Sequence, residues 1–314
     1  MKHITAFAPA TVANVAVGFD ILGFPLNCAG DRVTVTRVIN TQKTDSPVQI
    51  TSITGCVTDL PHDPHQNTAT VGMLALLHDL KCDMHLTVAI EKGISMGSGM
   101  GGSAASAVAA LVATNALLDK PLPTHELLHY ATLGESAASG SMHADNVAPC
   151  LLGGLQLIRS YNPLETVHIP TPKNILCVLI HPHATVETQA ARKMLSPTIT
   201  LEAHVKQSAN LATFMAACFT SDLTLLKKSL HDTIIEPQRA ALITGFEQTQ
   251  RAAMIAGAPG CSNAGSGPSM FAWASDHASA LRIQASMTSA MHAQNIQTDS
   301  WISPISQEGA KVIA

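Results

Sequence analysis

The chain has 314 residues, of which 46% are hydrophobic and only 13% charged, with a formal net charge of −4. That length supports one large or two ordinary domains with substantial cores, and the weak negative charge leaves no basic footprint for nucleic acid. No run of 18 apolar residues offers a membrane span, and seven scattered cysteines without a Cys-x-x-Cys pair argue for a reducing compartment and against a disulfide framework. The opening Met1-Lys2-His3-Ile4-Thr5 lacks a signal-peptide apolar core, so a soluble cytoplasmic protein is expected, with neither nucleic acid nor membrane as partner.

Alternation predicts a first strand over residues 2–8, ended by Pro9. Residues 32–38, with Val33 and Val35 at strand period, and 48–54 follow as strands. Val71, Leu74, Ala75 and Leu77 lie at helical spacing and predict a helix over 67–80. A strand over 84–91 leads into Gly97-Ser-Gly-Met-Gly-Gly-Ser-Ala-Ala105, from which an alanine-rich helix runs over 103–118. Ser106, Thr114 and Asn115 interrupt that helix's apolar run, marking it as buried in protein. A helix over 124–138 and a strand over 153–159 come next. Pro163, Pro170 and Pro172 suggest a linker over 161–173, dividing the chain into domains 1–165 and 166–314. Beyond it the pattern gives a strand over 175–180, several helices between 185 and 255, a strand over 270–274, a helix over 277–292 and a strand over 296–302. Strands and helices mix without strict βαβ alternation, so the expected class is α+β with antiparallel pairing.

The glycine-rich segment carries the chemistry. Amides of such a loop, pointing along a helix N-terminus, form a site for anions, and the glycines allow close approach. Gly97-x-Gly99-x-x-Gly102 matches the dinucleotide-binding fingerprint literally, with Asp119 at about the expected distance. Residues 92–96 nevertheless separate loop from strand, and Lys120-Pro-Leu-Pro123 denies Asp119 its second parallel strand. The Walker A pattern fails because the loop holds no lysine. What remains is a phosphate loop of another kind, with close helix packing as the bland alternative.

Ser95-Met-Gly-Ser-Gly-Met-Gly-Gly-Ser-Ala104 resembles the second motif of the GHMP small-molecule kinases, Pro-x-x-x-Gly-Leu-Gly-Ser-Ser-Ala. Ser95 stands for the usual proline and Gly102 for the first of the paired serines. Ala8-Pro-Ala-Thr-Val-Ala-Asn14-Val-Ala-Val-Gly-Phe-Asp20-Ile-Leu-Gly23 resembles the first motif, and Gly257-Ala-Pro-Gly-Cys-Ser-Asn-Ala-Gly-Ser-Gly-Pro-Ser269 the third. His143-Ala-Asp-Asn146-Val-Ala-Pro149, Thr188-Gln-Ala-Ala-Arg192 and Glu236-Pro-Gln-Arg239 are similar, in the right order, to blocks of the branch that acts on homoserine; the resemblance spans residues 4 to about 274. It implies a two-domain fold: an N-terminal ribosomal-protein-S5-like α/β domain holding the nucleotide, and a C-terminal ferredoxin-like α+β domain. It also implies magnesium-dependent transfer from ATP to the hydroxyl of L-homoserine, a small-molecule substrate, on the way to threonine. Homodimers are common in the family.

The resemblance places the nucleotide at Asn67 and at Ser95, Met96, Gly97, Ser98, Gly99, Met100, Gly101, Gly102, Ser103, Ala104 and Ala105. It places magnesium at Glu135, with Ser103 or Ser98 as partner, and homoserine at Asn14, Asp20, His143, Asn146, Thr188, Arg192 and Arg239, with Asn146 orienting the hydroxyl as the catalytic contact. The residue chemistry agrees. A guanidinium pairs a carboxylate bidentately, so Arg192 and Arg239 suit that end of the substrate, while Asp20 suits its ammonium and Asn14 and Asn146 can donate and accept beside it. Taken alone, each arginine equally fits a surface charge, Asp20 a turn residue, and His143 a structural histidine. The paired histidines His62/His65, His125/His129 and His181/His183 are expected at the surface. Two alternatives stay open: a mevalonate-type kinase, whose substrate lacks the ammonium, and a relative that binds ATP without turnover.

Overall fold

The computed structural model describes residues 2–38, 46–140 and 142–314. In chain order, β1 (His3–Ala13), β2 (Leu22–Val38) and β3 (Val48–Gly55) precede α1 (Thr68–Asp79), and β4 (His85–Lys92) leads through the glycine loop into α2 (Gly102–Leu117). Next come α3 (Leu127–Ser139), α4 (Val147–Leu152), β5 (Leu155–Tyr161), β6 (Leu164–Ile169) and β7 (Leu176–Pro182). Helices α5 (Thr188–Lys193), α6 (Leu201–Thr220), α7 (Leu223–Ser229), α8 (Glu236–Arg239) and α9 (Phe246–Ile255) follow in series. The chain closes with β8 (Cys261–Asn263), β9 (Met270–Ala274), α10 (His277–His292), β10 (Thr298–Pro304) and β11 (Lys311–Val312).

These strands make a seven-stranded sheet, ordered β11-β1-β2-β4-β3 with β5 and β6 branching from β2, and a four-stranded sheet ordered β10-β7-β9-β8. The named pairs are antiparallel except β3 with β4. Helix α2 packs on β1 and β2 with α1 and α3 against it. It is apolar on nearly all sides, with Ala104, Val108 and Leu111 fully buried, because every side meets protein. Phe24 on β2 meets Phe271 and Trp273 on β9 edge-on, with centroids 6.1 and 5.9 Å apart, so an aromatic cluster joins the two sheets.

Three sequence expectations change. The first strand passes Pro9 and runs to Ala13, because the register shifts between Pro9 and Thr11, and a bulge tolerates a residue without an N–H. The 161–173 segment is no linker: β6 pairs back on β5 as a hairpin turning around Pro163. A division at 165/166 therefore falls inside β6, a strand of the first sheet, to which β11 also returns by pairing with β1. His181 lies buried, its Nδ1 3.0 Å from Ser269 Oγ, instead of at the surface. Among the described residues, no helix is long and apolar enough to cross a membrane.

A buried charge pair supports the glycine loop from below. Asp31 on β2 is fully buried and accepts from the amides of Gly93 and Ile94 at 3.0 and 3.3 Å, from Ser106 Oγ at 2.6 Å, and from Lys92 Nζ. Lys92 also donates to the Gly102 carbonyl at 2.7 Å. Lys92→Met should leave that carboxylate buried without its cation and cost about 3–5 kcal/mol of unfolding free energy in urea. Adding Asp31→Asn should restore part of the loss; a single-variant cost below about 1 kcal/mol would contradict this role.

Candidate active site

Two glycine turns, the second-motif loop over 97–102 and the third-motif turn over 264–268, meet at the N-terminus of α2. Gly97, Gly99 and Gly101 have φ of 63°, 79° and 71°, and Gly101 caps the helix in the left-handed conformation. Backbone bonds hold the loop: Ser269 N–H of the third-motif turn donates to the Ser98 carbonyl at 3.1 Å, Thr11 N–H of β1 to Met100 at 3.0 Å, and Val186 N–H to Gly97 at 3.0 Å. A side chain on Gly99 would meet the carbonyl of Ala264 at 2.4 Å. By helix geometry the amides of Gly102, Ser103 and Ala104 have no partner within α2 and face outward as an anion cradle.

The loop residues divide by this geometry. The Ala105 amide already donates to the Gly101 carbonyl at 2.9 Å and its methyl is buried, unlike the three amides before it. Met100 is buried and offers only its backbone, whereas Met96 is exposed. Ser98 accepts from the Met100 amide at 3.3 Å, while Ser103 hydrogen-bonds Glu135 on α3. Of the two candidate serines, Ser103 therefore stands with the acid. Burial pushes Glu135 up to about 7, against the pull of Ser103 and of Lys92's charge. A carboxylate held at that edge of ionisation beside a hydroxyl is a hard oxygen pair suited to a divalent cation. Gly102 sits where a Cβ would lie 3.1 Å from Ile94, so the missing serine relieves a tight contact. Asn67 is buried as the N-cap of α1, accepting from Ala69 N–H at 3.0 Å and donating to the Pro61 carbonyl at 2.7 Å, which accounts for much of its amide.

Next to the loop lies a charged pocket. Arg192, one helical turn after Thr188 on α5, donates through one Nη to both Asp20 oxygens, at 2.6 and 2.7 Å. His143 Nδ1 is 3.4 Å from that guanidinium and 3.8 Å from Asp20. Burial pushes the His143 imidazole down, Asp20 opposes this, and the two arginines reinforce it. Arg239 is buried, with its guanidinium carbon 5.1 Å from the Phe19 ring centre, against 5.2 Å for Arg192. It donates to the Gly265 carbonyl at 3.3 Å, which also accepts from Asn14 at 2.9 Å and Asn263 at 2.8 Å. Asp232 fixes the start of α8 by taking the amides of Ile234, Ile235 and Glu236 at 2.8–3.0 Å, and so aims Arg239 inward.

The two halves of the site meet on one short segment. His143 faces the charged pocket, while three residues on Asn146 accepts from Thr11 Oγ1 at 2.6 Å, beside Gly101. Between them Asp145 is buried, and burial, then Asp20 and Glu135, push it up to about 7. Thr188 Oγ1 sits 3.4 Å from Ser266 Oγ on the third-motif turn. The structure thus gathers Asn14, Asp20, His143, Arg192 and Arg239 into one pocket, with Asn146 on the loop side. It also separates the arginines that the sequence treats alike: Arg192 is committed to Asp20, whereas no carboxylate of a described residue lies within ion-pair distance of Arg239. Sequence reasoning missed Thr11, Asn263, Ser266 and the Lys92–Asp31 pair. Only Lys92 and Asp31 left a signal, as charges next to apolar strand runs in a chain with few charges.

This combination of phosphate loop, paired sheets and adjoining charged pocket defines a small-molecule kinase. A profile of the GHMP kinases N terminal domain matches residues 67–154, and one of the GHMP kinases C terminal matches 214–293. The homoserine kinase of Chlorobium phaeobacteroides strain BS1 is 44% identical over 321 residues, covering 100% of both chains. That of Xylella fastidiosa strain M12 is 45% identical, covering 98% of this chain and 93% of its own. The crystal structure of homoserine kinase from Cytophaga hutchinsonii superposes with a TM-score of 0.95 at 42% identity, covering 100% of this chain and 98% of that one. The chain belongs to the homoserine kinase family within the GHMP kinases.

Proposed function

We propose that the chain transfers the γ-phosphoryl group of ATP to the side-chain hydroxyl of L-homoserine, giving ADP and O-phospho-L-homoserine. The observation that carries the substrate is the pocket's charge pattern. Asp20 offers a carboxylate to the ammonium, shared with Arg192, and buried Arg239 offers an unpaired cation to the substrate carboxylate. The Arg239 Nε atom is buried with no hydrogen-bond partner, which is the state expected of a group waiting for a ligand.

Phosphoryl transfer is carried by positioning and charge neutralisation more than by covalent chemistry of the protein. The outward amides of Gly102, Ser103 and Ala104 hold the triphosphate at the positive end of α2. Ser103 and Glu135 supply oxygen ligands for magnesium, which when bound would neutralise phosphate charge. Asn146, fixed by Thr11, orients the substrate hydroxyl towards the cradle. An amide side chain cannot accept the proton, so the hydroxyl proton leaves late, to the transferred phosphoryl group, as the new P–O bond forms and the bond to the ADP oxygen breaks.

Magnesium-dependent ADP release with L-homoserine, with mevalonate and with no acceptor tests the assignment. Turnover is expected with homoserine alone; turnover with mevalonate would discard the ammonium-and-carboxylate pocket. ATP binding with no turnover would mark a non-catalytic relative. In the same assay Asn146→Ala should lower kcat by about 10²-fold with little change in KM for ATP. A wild-type kcat would remove its orienting role.

A further inference from the structure

We propose that Tyr161 is a positioning residue of the substrate pocket: its hydroxyl straps the Phe19–Asp20 turn to the His143–Asn146 segment and so sets where Asp20 and His143 stand. This rests on the assignment of that pocket to homoserine. The phenol donates to the Asp20 carbonyl at 2.9 Å and accepts from the Ala144 amide at 3.2 Å, using both hydrogen-bonding roles of one oxygen. Each bond lands on the backbone beside a pocket side chain, one on Asp20 itself and one on the neighbour of His143.

The Asp20 turn needs such a tie. Asn14, Val15, Ala16 and Asp20 all have positive φ, at 67°, 47°, 59° and 62°, and none is glycine. Left-handed backbone at residues with a Cβ is unfavourable and persists only where the surroundings over-determine it. Within the turn, Asp20 N–H donates to Asn14 Oδ1 at 3.0 Å and Gly18 N–H to the Asn14 carbonyl at 2.8 Å. From outside it is held by Asn14 Nδ2 on the Gly265 carbonyl, by Gln207 on the Val17 carbonyl at 3.2 Å, by Ile158 N–H on the Ile21 carbonyl at 2.8 Å, by Arg192 on the Asp20 carboxylate, and by Tyr161 on the Asp20 carbonyl. Arg192 grips the Asp20 side chain and stands 3.4 Å from His143, whereas Tyr161 ties backbone to backbone, the Asp20 carbonyl to the Ala144 amide. The topology delivers it there: β5 pairs with the start of β2 through Leu22–Leu157, so the end of β5 projects past the turn that precedes β2. Burial pushes the phenol up to about 12, which keeps the donating hydrogen in place at ordinary pH.

Tyr161→Phe keeps the ring and removes only the strap. It should raise KM for homoserine by about 3–10-fold, with kcat within about twofold and KM for ATP unchanged. Hydrogen–deuterium exchange of the ligand-free chain should quicken at residues 15–22 and 143–147 and stay at the wild-type level in the glycine loop. An unchanged KM for homoserine overturns the proposal, whatever the exchange shows. So does an equal rise in KM for ATP, which would signal general loosening. If the unaltered chain fails to turn over homoserine, the assigned reaction falls, and the exchange comparison alone decides the strap: faster exchange in those two segments supports it, wild-type exchange overturns it.

Discussion

Replacing Arg239 with leucine should raise KM for homoserine by the equivalent of about 2–5 kcal/mol, roughly 30-fold to several-thousand-fold, while leaving the ligand-free chain as stable as before or more so. The two effects separate because of what Arg239 touches. In the ligand-free chain it is buried, and burial and then the charge of Arg192 push its guanidinium below the usual value. Among the described residues its guanidinium donates to one carbonyl, at 3.3 Å, and lies over the face of Phe19. Removing a buried cation that lacks a carboxylate partner relieves desolvation and repulsion from Arg192, so stability has little to lose. The substrate carboxylate, by contrast, loses its partner and would be left unpaired. Arg192→Leu should behave differently, because it strips Asp20 of its counterion. Denaturation midpoints and homoserine KM, measured on both variants, check the contrast. A destabilised Arg239→Leu with normal KM would mean that Arg239 is structural.

The second large effect is expected at Gly99. Alanine there must adopt φ near 79° and place its methyl 2.4 Å from the Ala264 carbonyl and 2.7 Å from that of Gly267. Backbone atoms cannot swing aside as a side-chain tip can, so the second-motif and third-motif glycine turns must separate. The combined conformational and steric cost is about 2–4 kcal/mol. Parting the turns also displaces the loop that presents the cradle amides, and KM for ATP should rise by at least about tenfold. Gly257→Ala is the control. It also has positive φ, at 100°, but nothing lies within 4 Å of its added methyl, so only the conformational share, about 1–2 kcal/mol, applies. Equal losses in the two variants would show that the close approach of the turns does not matter.

Much of this molecule was legible in local pattern. The helices over Thr68–Asp79 and His277–His292 and the strand Met270–Ala274 appear where periodicity placed them, because capping and apolar spacing are properties of neighbouring residues. The glycine loop was legible for the same reason, since a string of glycines leading into an alanine run has few other uses. Pro9 and the three prolines of 161–173 misled, because whether a proline ends a strand depends on what faces it. Here a bulge excused one, and a hairpin turn used another.

The sequence by itself determined the chemical inventory: a glycine-rich loop before an alanine-rich helix, a glutamate, two arginines and an aspartate, in family order. Tertiary structure alone decided how that inventory is shared out. Arg192 is spent on Asp20 while Arg239 stays unpaired, and Ser103 rather than Ser98 reaches Glu135. The Ala105 amide is taken up by Gly101, and Tyr161 and the Lys92–Asp31 pair enter as supports. The reason is distance along the chain. Asp20 and Arg192 are 172 positions apart, as are Asp20 and Tyr161 by 141, and no local pattern registers a bond between them. Only the packing of the two sheets against each other, with their helices, brings those atoms within hydrogen-bonding reach.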